Sequence, residues 1–179
     1  MAQHDILVAG FGGQGVMMLG MLFADSAVLE GRNAVYLPSY GPAMRGGTAN
    51  CTVIASEEEI ASPVVPNPSN VVVMNAPSFT AFEPKVAKGG HLYVNSSLIT
   101  AKSSRTDITV HYIPANEIAE KVGMARAANI VMLGAIIKNT NAFKPDSAKA
   151  AIKHKLGEAK AKYYEVNCNA LDAGISFNE

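Results

Sequence analysis

Two stretches of the chain combine residue types that can hold an anion. The first is Gly10-Phe11-Gly12-Gly13-Gln14-Gly15, with glycines at the spacing G-x-G-x-x-G. It follows an apolar run and opens a helical pattern. In that setting glycines let the backbone turn tightly, and a helix N-terminus presents unpaired N–H groups with a partial positive charge. The second is Ser39-Tyr40-Gly41-Pro42-Ala43-Met44-Arg45-Gly46-Gly47-Thr48, whose single charge is Arg45. A guanidinium fork suits phosphate or carboxylate. Gly41, Gly46 and Gly47 would let backbone approach a ligand closely, and Ser39 and Tyr40 can donate hydrogen bonds. A surface arginine in a flexible turn and turn-stabilising hydroxyls are the competing readings. Asn129, at the start of a late apolar helix, either anchors that helix or reaches a ligand.

The spacing of the first stretch excludes two familiar uses. A dinucleotide site calls for an acidic residue about twenty positions on, at the end of the second strand. That strand ends Val35-Tyr36-Leu37-Pro38-Ser39-Tyr40, with neither an acid nor an arginine, and Asp25 and Glu30 lie too early. A nucleoside-triphosphatase loop calls for Lys-Ser/Thr after the last glycine, where Val16-Met17 stands. What remains is a backbone nest for phosphate or carboxylate, or a tight strand-to-helix turn.

The elements that must position these residues follow from hydrophobic pattern. Continuous apolar runs predict buried strands at Asp5–Ala9, Ala34–Pro38, Val71–Asn75, His91–Asn95 and Ile108–Ile113, with a partly alternating strand at Thr48–Ser56. Glu57–Glu59 and the proline-rich stretch Ser62–Ser69 read as surface connection. Helices are predicted over Gln14–Gly31, Pro77–Lys88, Pro114–Val122, Ala127–Lys138 and Pro145–Leu156, with a last stretch from Gly157 to Asn167 and a tail fraying after Leu171. The expected fold is α/β: one domain over residues 1–179, a parallel or mixed sheet with helices on both faces and a Rossmann-like first βα unit. In such a sheet the Arg45 loop belongs on the same carboxyl-end side as the glycine loop.

Fifteen basic and fifteen acidic residues balance, so neither nucleic acid nor an anionic membrane is an expected partner. No apolar run reaches the ~18 residues of a membrane span, and the start of the chain lacks the features of a signal peptide, so a cytoplasmic location is expected. Cys51 and Cys168 are distant and no CxxC pair is present, which argues against a disulfide framework, a zinc site or an iron–sulfur cluster. Cys51 reads as a small buried hydrophobe. His4, His91, His111 and His154 have no metal-ligand spacing, and the Lys/Ala-rich stretch 145–162 reads as a solvated face. Only 17% of residues are charged, and two stretches, Val16–Phe23 and Ile130–Ile137, are apolar on every side. A helix of that kind must be covered all round; burial inside the domain is an alternative for one of them, and a partner subunit is the expected cover for both.

Together, GFGGQGV (10–16), PSYGPAMRGGTANCTV (38–53) and ANIVMLGA (128–135) resemble the gamma subunit of the 2-oxoacid:ferredoxin oxidoreductases, over nearly the whole chain. The SYGPxMRGG form looks more like the 2-oxoglutarate and branched-chain members than the pyruvate members. Ala43 departs from the acidic residue of many relatives. The resemblance implies oxidative decarboxylation of a 2-oxoacid with coenzyme A, giving acyl-CoA, carbon dioxide and reduced ferredoxin; for 2-oxoglutarate the product is succinyl-CoA. It implies alpha, beta and possibly delta partner subunits carrying thiamine diphosphate, Mg2+ and iron–sulfur clusters, and no catalytic residue or cofactor on this chain alone. Coenzyme A would enter as co-substrate, its phosphates on Gly10, Gly12, Gly13, Gln14 and Gly15 and on the Arg45 loop. The alternatives are a 2-oxoisovalerate enzyme, a purely scaffolding subunit, or a stand-alone nucleotide-binding protein.

Overall fold

The computed structural model describes residues 3–40 and 48–178. Six strands form one mixed sheet: β1 (His4–Phe11), β2 (Asn33–Tyr40), β3 (Thr48–Ser56), β4 (Asn70–Val73), β5 (His91–Asn95) and β6 (Thr109–Ile113). Their order is β2-β3-β1-β4-β5-β6. β1, β4, β5 and β6 run parallel, while β3 is antiparallel to both β1 and β2. β3 therefore lies between the first two strands, where a dinucleotide fold would pair them directly.

Alternating side chains divide the interior into two layers. Ile6, Val8, Cys51, Val53, Val72 and Tyr93 face one side. There they meet α1 (Val16–Leu29), α3 (Ala115–Lys121), α4 (Ala128–Thr140), α5 (Pro145–Leu156) and α6 (Tyr164–Ser176). Leu7, Ala9, Val71, Val73, Leu92 and Val94 face the other side, with Phe79 of α2 (Ala76–Phe82), Val86 and Ile99. Cover on both faces is why the central strands read as unbroken apolar runs.

Several boundaries differ from the sequence reading. β1 continues through Gly10 and Phe11, which pair with Ala49 and Thr48, so Gly10 belongs to the sheet. β2 likewise takes in Ser39 and Tyr40, opposite Asn50 and Ala49. α2 is capped by Asn75, whose Oδ1 accepts from the Ser78 N–H at 2.9 Å. It stops at Phe82 and passes into a 3-10 turn over Glu83–Lys85, because Pro84 has no N–H to continue the ladder. Another 3-10 turn, Glu158–Tyr163, precedes α6.

Two expectations are overturned. The C-terminal tail does not fray after Leu171: α6 runs to Ser176 with Leu171 and Gly174 buried. Nor does α4 need a partner subunit to cover it. Residues 128–137 are all buried within this chain, because α6 lies along it at backbone contact.

Candidate functional site

The carboxyl ends of β1 and β4 carry the glycine loop. Its shape is set by Gln14, whose side chain turns back into the loop. Gln14 Oε1 accepts from the Phe11 N–H at 2.7 Å and from Asn75 Nδ2 at 3.2 Å, and Gln14 Nε2 donates to the Met74 carbonyl at 3.0 Å. The glutamine therefore ties the end of β1 to the end of β4 and fills the inner side of the turn. Gly10 is the residue that makes room for it. A Cβ there would stand 2.8 Å from Gln14 Oε1, 2.8 Å from Val16 and 2.9 Å from Met74.

Gly15 caps α1 in the left-handed region, with φ 75°. A side chain there is excluded twice, by that conformation and by Asn129, whose Nδ2 would lie 2.5 Å from a Cβ. The same Nδ2 donates to the Gly15 carbonyl at 3.2 Å, and Asn129 is buried. Asn129 thus ties α4 to the glycine loop, and it also lines the cleft beside that loop. No side chain caps α1, and its first turn holds no acid. Its leading N–H groups lack a side-chain acceptor, and Gly12 and Gly13 beside them are exposed.

Ser39 is exposed at the end of β2. The ends of the β2–β3 hairpin, Tyr40 and Thr48, sit at the same edge of the sheet as Phe11. The expectation that this loop rises beside the glycine loop is thus met at its two ends. Gly41, Arg45, Gly46 and Gly47 lie outside the described residues.

Beside the glycine loop opens a cleft of about 630 Å3. Gly13 and Gly15 form one end; Met18, Leu22, Ile130, Ile152 and Leu156 make an apolar floor. Arg126, Lys155 and Lys160 stand along it, all exposed, and none of its lining residues is a carboxylate. Sequence reading did not bring these cations together, although it read the lysines as solvated, which they are. Lys155 and Lys160 fall in the stretch read as a solvated face, and Arg126 precedes α4. The available signal was charge asymmetry: from Lys121 to Lys162 the chain carries nine lysines and arginines but only two carboxylates, Asp146 and Glu158.

Other candidates resolve into structural roles. Cys51 is buried in the sheet with its Sγ 3.6 Å from the Val16 carbonyl, and burial pushes its thiol pKa up to about 12. It is an inert packing residue. His91 and His111, scattered in sequence, meet across β5 and β6. Their Nδ1 and Nε2 stand 3.0 Å apart, the rings stacked beside Tyr93. Burial first, and then the neighbouring His111, hold the His91 pKa below its ordinary value. Among the described residues no three His, Cys, Asp or Glu gather as metal ligands, and no helix is long and apolar enough to cross a membrane.

This arrangement has close counterparts. Residues 5–177 match the family described as pyruvate ferredoxin/flavodoxin oxidoreductase. The ketoisovalerate oxidoreductase subunit VorA of Methanothermobacter thermautotrophicus is 41% identical over 96% of this chain, which spans 36% of that relative. The 2-oxoglutarate synthase subunit KorC of Methanocaldococcus jannaschii is 35% identical over 84% of this chain and 82% of its own length. A crystal structure of the keto/oxoacid ferredoxin oxidoreductase gamma subunit from Geobacter sulfurreducens superposes with a TM-score of 0.83 at 28% identity, over 97% of this chain and 95% of that one. The match runs through both apolar layers, the uncapped α1 and the C-terminal helix: this chain belongs to the pyruvate ferredoxin/flavodoxin oxidoreductase family.

Proposed function

We propose that the chain is the gamma subunit of a cytoplasmic, multi-subunit 2-oxoacid:ferredoxin oxidoreductase that converts 2-oxoglutarate, coenzyme A and oxidised ferredoxin to succinyl-CoA, carbon dioxide and reduced ferredoxin. The observation that carries this reading is the near full-length match to the 2-oxoglutarate synthase subunit KorC. The chain spans only about a third of VorA, so in that relative the same unit is part of a longer polypeptide. A 2-oxoisovalerate enzyme is the second reading, favoured by the higher identity to VorA.

The residues here do not fit thiamine diphosphate with Mg2+ or iron–sulfur clusters as resident groups. The chain has two cysteines, one sealed in the sheet, and the described residues gather no set of metal ligands. In this reading those groups belong to alpha, beta and delta partners. What this chain supplies is an anion-holding edge. The leading N–H groups of α1, with Gly12, Gly13 and Gly15 beside them, donate to phosphate oxygens of coenzyme A. Arg45, which the sequence flanks with Gly41, Gly46 and Gly47, is the proposed cation for the same phosphates. Gln14 and Asn129 hold the loop open in that shape without touching the ligand.

The test is purification of the complex through a tagged copy of this chain. Reduction of ferredoxin is then followed with 2-oxoglutarate and with 2-oxoisovalerate. Co-purification of larger, brown chains and turnover dependent on coenzyme A are expected, with 2-oxoglutarate preferred. A lone chain without partners removes the reading, and a preference for 2-oxoisovalerate replaces the substrate. Arg45→Ala is expected to raise the apparent KM for coenzyme A; an unchanged KM removes Arg45 from the site.

A further inference from the structure

We propose that the seam between α5 and α6 carries a self-acylation site, in which Cys168 takes an acyl group from an acyl-CoA thioester and passes it to Lys149. Tyr164, Cys168 and Asp172 follow one another at intervals of four residues, so they share one face of α6. Lys149 reaches that face from α5, its Nζ 2.8 Å from Asp172 Oδ2. Asp172 stands one turn beyond Cys168, which brings the lysine amine and the cysteine thiol within a side chain's length of each other. Cys168 is only half-buried, whereas Cys51 is sealed in the sheet. The two cysteines therefore differ in access, and Cys168 has an amine and the phenol of Tyr164 beside it.

The surroundings set the order of the two transfers. Asp172, first through its hydrogen bond and then through its charge, holds the Lys149 pKa above the ordinary value. An ammonium has no lone pair with which to attack, whereas a thiol is a strong nucleophile near neutral pH. A Cys168 thiolate has the Lys149 charge beside it, and Tyr164, whose pKa Cys168 chiefly raises, keeps its proton as a donor. In the first step Cys168 gives its proton to water and its sulfur bonds to the acyl carbonyl carbon. The bond from that carbon to the coenzyme A sulfur breaks, and coenzyme A leaves as a thiolate that takes up a proton. One thioester replaces another, so no oxidant or reductant enters. In the second step Lys149 gives a proton to solvent and its Nζ bonds to the same carbon. The bond to the Cys168 sulfur breaks, and the thiol regains a proton. Proximity compensates for the small share of free amine, and the greater stability of an amide over a thioester makes the transfer run one way. Lys149 loses its charge and with it the ion pair to Asp172. With a succinyl donor, a new carboxylate joins Asp146 and Asp172 at the seam.

This inference rests on the proposed function for its acyl donor, since succinyl-CoA is the product there. The full chain is incubated with succinyl-CoA at neutral pH, and acylation is followed residue by residue by mass spectrometry. Lys149 is expected to be acylated about tenfold faster than the exposed Lys153 of the same helix, and Cys168→Ser should abolish that advantage. Lys149→Arg keeps a cation for Asp172 and should trap the acyl group on Cys168, from which hydroxylamine releases it; an acyl group on a lysine nitrogen resists that reagent. Acylation of Lys149 at the same rate in Cys168→Ser overturns the inference, as does acylation of Lys149 no faster than that of Lys153. So does the lack of a hydroxylamine-labile acyl group in Lys149→Arg. Each of those outcomes leaves the subunit assignment standing, because that is judged by co-purification and turnover. Conversely, cysteine-dependent acylation of Lys149 in a chain that never assembles would keep the seam and discard the subunit.

Discussion

Helices α1 and α4 look interchangeable in sequence, since both are apolar on every side, yet the fold treats them differently. α4 is buried along residues 128–137 by its own chain. α1 keeps Met17, Met18 and Met21 only partly buried, and Val28 and Leu29 at its far end are more than half exposed, at 56% and 57%. The difference lies in where each helix permits close approach. Gly134 of α4 and Gly174 of α6 face each other's backbones. A Cβ on Gly174 would run into the Val131 carbonyl, and one on Gly134 into that of Leu171. Two backbones in contact leave no room for water, so α6 seals α4. The one glycine within α1, Gly20, faces the sheet, where its Cβ would meet Cys51 Sγ and the Tyr36 ring. α1 is pressed onto the sheet, and its outer flank is left to border the cleft.

The contrast can be broken most severely at the helix pair. Gly174→Leu should destabilise the chain by about 3 kcal/mol or more, because an overpacked site with backbone on the far side cannot relax. Urea unfolding would measure this, with Gly174→Ala as a milder variant should the leucine protein fail to fold. A wild-type midpoint for both would mean that α6 does not lie against α4. At the sheet contact, Gly20→Ala should cost about 1–3 kcal/mol. Here the obstruction is the tip of a side chain, so adding Cys51→Ala should recover part of the loss; simple additivity of the two changes would refute the contact.

The pH effect expected is smaller. His91 in the folded chain resists protonation, whereas in the unfolded chain it titrates near the usual ~6.5. Below that value the unfolded state takes up a proton that the folded state refuses, so stability is full above about pH 6.5 and declines as pH falls beneath it. His91→Asn should flatten the decline between pH 7.5 and pH 5.5. His4, also held low chiefly by burial, keeps its own share of the slope in the variant. An unaltered slope would show that His91 contributes nothing. Smallest of all, Met21→Gln on the outer flank of α1 and Leu29→Gln at its exposed far end should shift stability by no more than about 0.5 kcal/mol. If a partner subunit covers that flank, the same changes should weaken co-purification of the complex; full assembly would leave α1 facing only the cleft.

The same contrast explains what the sequence made legible. Ile6–Ala9 and Val71–Val73 announced buried strands, because side chains covered on both faces need no alternation. Thr48–Ser56 was readable as a strand, but its place between β1 and β2 was not, since a run of residues does not name its partners. Asp172, Gly174 and Ser176 carry weak helix propensity and read as a fraying tail. Gly174 sits there because only glycine lets α6 approach Val131, a reason visible only in the packed pair. The glycine loop was legible from spacing. Gln14, Asn75 and Asn129, which give it shape, were not, because the bonds that join them to other elements, Gln14 to Met74 and Asn75 and Asn129 to Gly15, span 60 or more residues. Arg126, Lys155 and Lys160 each look like an ordinary solvated residue until folding gathers them.

The hydrogen bond between Asn129 and Gly15 spans 114 residues of chain. During synthesis, the glycines emerge long before Met74, Asn75 or Asn129, the three residues that fix their geometry. A nascent chain folded only through β3 would carry the loop's residues without its shape. Closing a contact of such separation carries a large loop-closure cost, which the packing of α4 must offset before Asn129 can hold Gly15. A product truncated ahead of Asn129 would keep every glycine and lose the bond that braces the start of α1.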